Sequence, residues 1–88
     1  MSAASQALLV QSHHQVAAGN LGAAADDLER ALRIDPSQPV LWLELGEVRL
    51  KAGARAQAEM LAQRAQSLGG KDPAIQSRVE DLLERAAQ

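Results

Sequence analysis

The spacing of apolar residues predicts that the chain is helical along nearly its whole length. Near the C-terminus, apolar residues recur three or four positions apart, as in a helix that buries one narrow stripe; the stripe consists of Ile75, Val79, Leu82, Leu83 and Ala86. Between residues 39 and 52 the apolar positions instead cover most of the helix circumference, and only Glu44, Glu47 and Lys51 form a charged strip. We therefore expect this central helix to lie between neighbours, and the C-terminal helix to cover one end of the fold.

Glycine and proline residues divide the chain into five helical segments. Left-handed glycines that end a helix are expected at Gly19, Gly53 and Gly69. Pro39 and Pro73 fit the first turn of a helix, where a backbone N–H donor is not needed. We predict helices over residues 3–18, 22–34, 39–52, 55–68 and 73–87. The connections between them are short, so consecutive helices should be antiparallel neighbours.

The chain repeats itself with a period of 34 residues. A shift of this length aligns Gly19 with Gly53 and Ala24 with Ala58. Helix-ending glycines and helix-packing alanines at a fixed spacing indicate stacked helix-turn-helix units. The sequence thus predicts a single domain over residues 1–88, with a first unit at 5–38, a second unit at 39–72 and a capping helix at 73–87.

The second unit resembles a tetratricopeptide repeat. It has that family's residues at that family's spacing: Trp42, Leu45, Gly46, Gly53, Ala58 and Ala65. The resemblance implies an all-α fold, a short right-handed α-solenoid of five helices built from antiparallel helix-turn-helix repeats. It also implies that Trp42 is a core anchor. Large aromatic residues of the family are replaced by Gln15, Arg49 and Ala62, which predicts looser packing than in a consensus array.

In tetratricopeptide repeats the first helix of each unit lines a concave groove that binds partners. The matching positions imply a partner-binding groove formed by Leu9, His13, Val16, Val40, Leu43, Glu44, Glu47, Leu50 and Lys51, with Gln6 and Ala17 beside them. Leu9, Val16, Leu43 and Leu50 are expected to be exposed contact residues, and Glu44 and Glu47 to form an acidic stripe that favours a basic partner residue. Some members hold a C-terminal carboxylate in a clamp of Lys, Asn and Arg. Only Arg78 fits that clamp here, so we do not expect one.

Composition favours binding over catalysis. The chain has no cysteine, and its adjacent His13 and His14 point about 100° apart on a helix, so neither a metal site nor a catalytic triad is expected. We expect no cofactor and no enzymatic activity. Nine basic and eleven acidic residues leave a net charge of −2 with both signs scattered, which disfavours nucleic acid as a partner. No run approaches the roughly 20 apolar residues that insert across a membrane.

These observations favour a protein–protein interaction module, a scaffold or adaptor that binds a helix or a peptide in the apolar concave groove. The alternative is a self-association or assembly domain of a larger multidomain protein, in which the incomplete ends or the grooves of two copies cover each other. The expected partner is thus a protein, a peptide or a second copy of the chain. The absence of cysteine is compatible with a cytoplasmic and with an exported protein.

Overall fold

The computed structural model describes all 88 residues, which form five α-helices and no strand. The helices are α1 (Ala3–Ala17), α2 (Leu21–Ile34), α3 (Pro39–Lys51), α4 (Arg55–Gly69) and α5 (Pro73–Ala86). Every predicted helix boundary agrees with the observed one to within one residue, which confirms the five-helix, all-α prediction. None of these helices is both long enough and apolar enough to cross a bilayer.

Local backbone geometry explains where the helices begin and end. Gly19 and Gly53 have φ angles of +80° and +85°, the left-handed conformation that the sequence predicts for them. The same prediction is wrong for Gly69, which is the last residue of α4 and has no positive φ. A Cβ at Gly69 would lie 2.8 Å from Cγ of Pro39, so glycine lets the end of α4 approach the start of α3. Asp72 caps α5 by accepting a hydrogen bond from a first-turn N–H at 2.9 Å.

Two apolar cores hold the helices together, and α3 contributes to both. The first core lies between α1, α2 and α3, and it contains Leu9, Leu28, Leu32, Leu41, Leu45 and Val48 together with three alanines of α2. The second core lies between α3, α4 and α5, and it contains Leu43, Ala62, Ala65, Ile75, Val79 and Leu82. The nearly continuous apolar circumference of α3 follows from this position between two cores.

The 34-residue repeat is visible in how the two cores are built. The first core receives Leu41, Leu45 and Val48 from α3. The equivalent residues of α5, found 34 positions later, enter the second core: Ile75, Val79 and Leu82. Gly46 lies at the same interface, since a Cβ there would be 2.7 Å from Cδ2 of Leu82. Thus α5 packs against the second unit as α3 packs against the first.

Trp42 differs from its prediction as a core anchor. Its side chain is only half-buried and packs against both cores from outside them. The indole Nε1–H donates a hydrogen bond to the carbonyl oxygen of Pro36 at 2.8 Å, and the guanidinium carbon of Arg64 lies 5.5 Å from the ring centre, within cation–π range. Trp42 therefore connects the α2–α3 turn to α4 while part of its ring stays in contact with solvent.

The two ends of the helix stack have different surfaces. Charged side chains cover the outer side of α5, among them Glu80 and Glu84. The sequence of α1, by contrast, contains no Asp, Glu, Lys or Arg. At the positions where α3 has its three first-core residues, α1 has Ala7, Gln11 and His14, and all three are exposed. At these three positions α1 thus carries small or polar residues where α3 carries large apolar ones, and Val10, which is 45% exposed, is the one large apolar residue exposed on α1.

Candidate interaction groove

An open cavity of about 280 Å³ lies between α1 and α3. Its lining consists of His13, Val16, Ala17, Glu44, Glu47, Val48 and Lys51. We call this site the α1–α3 groove. It brings together five of the nine groove residues that the family resemblance implied: His13, Val16, Glu44, Glu47 and Lys51.

The other four residues of the predicted groove lie outside the cavity. Leu9 is 8% exposed and belongs to the first core, and Leu43 is 1% exposed and belongs to the second core. Val40 and Leu50 are half-buried and pack against the cores. The expectation that Leu9 and Leu43 are exposed contacts is therefore wrong. Leu43 is buried because α5 packs against α3 as well as α4, a contact that the apolar pattern of α3 alone does not specify.

The carboxylate of Glu44 links three helices on this side of the stack. One of its oxygens lies 3.1 Å from Nε2 of His13 on α1. Its other oxygen accepts a hydrogen bond from Nη2 of Arg78 on α5, at 3.3 Å. Glu44 is thus engaged from both sides, and its side chain is only 20% exposed.

Glu47 is bound by Arg85 of α5. The two Nη atoms of Arg85 donate to the two carboxylate oxygens, one of them at 3.0 Å, and Nε of Arg85 donates to Asp81 at 3.0 Å. The hydrogen bonds to Glu47, assisted by those to Asp81, outweigh partial burial and raise the pKa of Arg85 above its ordinary value. The acidic stripe of the sequence prediction is therefore neutralised by α5, and it is not free to select a basic partner residue.

Arg85 is the residue of this surface that the sequence prediction missed. The sequence analysis predicts a capping helix over residues 73–87 and does not include Arg85 in the groove. The 34-residue repeat contains a signal for its role, because Arg85 occupies the position that Lys51 occupies in the second unit, and Lys51 was assigned to the groove.

Two further hollows lie at turns. One is formed by residues 35–38 beside the N-terminus, and the other by residues 66–72. In the first, hydrogen bonding from the Ser5 hydroxyl and from the backbone N–H of Ser2 lowers the pKa of the Asp35 carboxyl below its ordinary value. Asp35 thereby fastens the start of α1 to the end of α2. No group of three or more His, Asp or Glu side chains is arranged to hold a metal ion.

Comparison with known proteins identifies the family. The tetratricopeptide repeat model matches residues 15–87. Among solved structures, the chain is similar to the globular C-terminal domain of P. aeruginosa LpoP, with a TM-score of 0.94 and 37% sequence identity, over 98% of this chain and 81% of that one. Comparison with curated proteins gave no match. The family match covers most of the chain and agrees with the helical repeat seen in the fold, so the chain belongs to the tetratricopeptide repeat family.

Proposed function

We propose that this domain is a protein–protein interaction module that binds a helix or an extended segment of a partner in the α1–α3 groove. Membership of a family of interaction folds supports this role in general terms. The observation that carries the proposal is the open cavity of about 280 Å³ between α1 and α3. The neighbouring junction between α3 and α5 is bridged by two arginines, Arg78 and Arg85, whereas His13 and Glu44 form the single side-chain contact of this kind between α1 and α3.

The size and lining of the groove favour a partner side chain over a free small molecule. Pockets for small molecules usually enclose about 300–1,000 Å³, and this cavity lies just below that range. Val16 and Ala17 supply apolar contact surface, Val48 of the first core adds the small part of its side chain that is exposed, and charged side chains surround them. An apolar centre with a polar rim is the usual arrangement of a protein interface. An aliphatic or aromatic side chain of the partner therefore suits the site as an anchor.

Self-association through the open end of the array would use a different surface, the outward side of α1. Ala7, Gln11 and His14 there are small or polar, and Val10 is the one large apolar residue exposed on this helix, so a second copy finds little apolar area. A stable interface usually buries about 1,200 Å² of surface or more. Because a helix of 15 residues is only about 22 Å long, one side of α1 is too small to bury that area by itself. These observations support the α1–α3 groove as the interaction site in preference to the outward side of α1.

A matched pair of substitutions on α1 tests the proposal. Ala17→Arg places a long cation in the groove, and Ala7→Arg places the same side chain on the outward side of the same helix. Both alanines are exposed, so both variants should retain the helical circular dichroism spectrum. Partners captured by the wild-type chain from a lysate are identified and purified, and their affinities are then measured by calorimetry. We expect Ala17→Arg to weaken binding about ten-fold or more and Ala7→Arg to leave it unchanged.

Two results would contradict the proposal. Equal affinity of the Ala17→Arg variant and the wild-type chain would exclude the groove as the binding site. If sedimentation of the wild-type chain rises with concentration and Ala7→Arg abolishes that rise, the domain functions by self-association through α1.

A further inference from the structure

The α1–α3 and α3–α5 junctions are built from equivalent positions but differ in chemistry. In the α3–α5 junction, Glu47 of α3 accepts hydrogen bonds from Arg85 of α5. At the same two positions 34 residues earlier, the α1–α3 junction has His13 on α1 and Lys51 on α3. Each junction therefore has a basic residue on its later helix, Lys51 on α3 or Arg85 on α5. Only the α3–α5 junction has a carboxylate, that of Glu47, at the matching position of its earlier helix.

Lys51 is consequently left without an acidic partner in the groove. No carboxylate oxygen lies within 4.0 Å of its ammonium nitrogen. Glu47, one helical turn before it, is occupied by Arg85, and Glu44 is occupied by Arg78 and His13. The lining thus combines two engaged carboxylates with one free ammonium group. Lys51 is therefore the charged group of the lining that is available to pair with a charge on an incoming segment.

We propose that the partner segment carries an acidic side chain next to an apolar one, with its Asp or Glu carboxylate bound by Lys51 and its apolar group on Val16, Ala17 and Val48. This inference rests on the proposed function and specifies the chemistry of the partner. The partner carboxylate takes the role that Glu47 has in the α3–α5 junction. The preference is opposite to the basic partner suggested by the sequence, because arginines of α5 already neutralise the acidic residues.

The acidic residue contributes selectivity more than affinity. An exposed ion pair changes an affinity only about two- to five-fold. The apolar anchor supplies most of the binding, and the charge decides which segments are accepted. The difference between acidic and basic segments should also shrink at high salt, because Lys51 is exposed to solvent.

Two small probes that share a phenylethyl group measure the charge preference of the groove. Hydrocinnamate carries a carboxylate on that group, and phenethylammonium carries an ammonium group. Each probe is titrated into the full chain while the methyl NMR signals of Val16 and Val48 are followed. We expect both probes to shift these signals, with a dissociation constant about two- to five-fold lower for hydrocinnamate.

Substitution of Lys51 assigns the preference to this residue. Lys51→Glu should reverse the order of the two probes, and Lys51→Met should make them equal. Lys71→Glu is the matched control, since Lys71 is the only other lysine and is exposed in the α4–α5 turn. This control should keep the wild-type preference. Circular dichroism verifies that each variant is folded.

The possible failures are distinguishable. Equal affinities for the two probes, tighter binding of phenethylammonium, or an unchanged preference in Lys51→Glu would overturn the acidic partner and leave the groove in place. The absence of any shift at Val16 and Val48 with either probe would overturn both the acidic partner and the groove as a binding site.

Discussion

Replacement of Leu43 by alanine tests how α3 is packed. In the structure Leu43 is 1% exposed and belongs to the second core, together with residues of α4 and α5. The family resemblance assigns it to the groove surface, where a substitution would have little effect on the fold. The two interpretations therefore predict different stabilities for the Leu43→Ala protein.

The expected loss follows from the burial of the side chain. Leucine to alanine removes three carbon atoms, which at about 0.8 kcal/mol for each buried methylene amounts to about 2.4 kcal/mol. Because α3 is held in both cores and cannot move to fill the cavity, we expect a total of about 3–4 kcal/mol. A chain of 88 residues has a free energy of unfolding of roughly 9 kcal/mol. The variant should therefore remain folded but melt about 15 °C lower or more.

Thermal and urea unfolding, followed by far-ultraviolet circular dichroism, measure this loss. Met60→Ala is the control, because the side chain of Met60 is 67% exposed on α4 and its removal should change stability by no more than about 0.5 kcal/mol. A Leu43→Ala protein as stable as the Met60→Ala protein would refute the burial of Leu43. It would also refute the packing of α5 against α3.

Three further predictions concern the α2–α3 turn, α5 and the N-terminus. Trp42→Phe removes the N–H that donates to the carbonyl oxygen of Pro36 and should lower the free energy of unfolding by about 1 kcal/mol in urea titrations; an unchanged value would mean that this bond does not stabilise the fold. Deletion of residues 73–88 exposes the second core and should abolish the cooperative transition in calorimetry, whereas a sharp transition in a soluble truncated chain would contradict the role of α5. Asp35→Asn should make the free energy of unfolding less sensitive to acid, because the pKa of Asp35 is lowered in the folded chain. The ionised Asp35 stabilises the fold above about pH 4, and this stabilisation is lost as the pH falls further. Urea unfolding at about pH 7 and pH 3 measures this effect, and equal acid sensitivity of variant and wild type would refute it.

The helices and their repetition were predictable from the sequence because they depend on interactions close along the chain. Gly19 and Gly53 end their helices through their own backbone conformation. The prolines at the starts of α3 and α5 act within a single turn. Equivalent residues 34 positions apart perform the same packing task in successive units, so the period itself predicted the fold. The family resemblance also located five of the residues that line the α1–α3 groove.

The tertiary structure decided which of the predicted groove residues reach solvent and which charges are free. The position of Leu43 around the axis of α3 follows from its sequence number, but its burial depends on α5 lying in that direction. Similarly, the sequence of α3 places Lys51 one helical turn after Glu47, but in the structure the ion-pair partner of Glu47 is Arg85, 38 residues later. Trp42 is half-buried because its surroundings cover only part of a large ring. A hydrophobic period specifies the direction of a side chain from its own helix axis, whereas the packing of the other helices determines what that side chain meets.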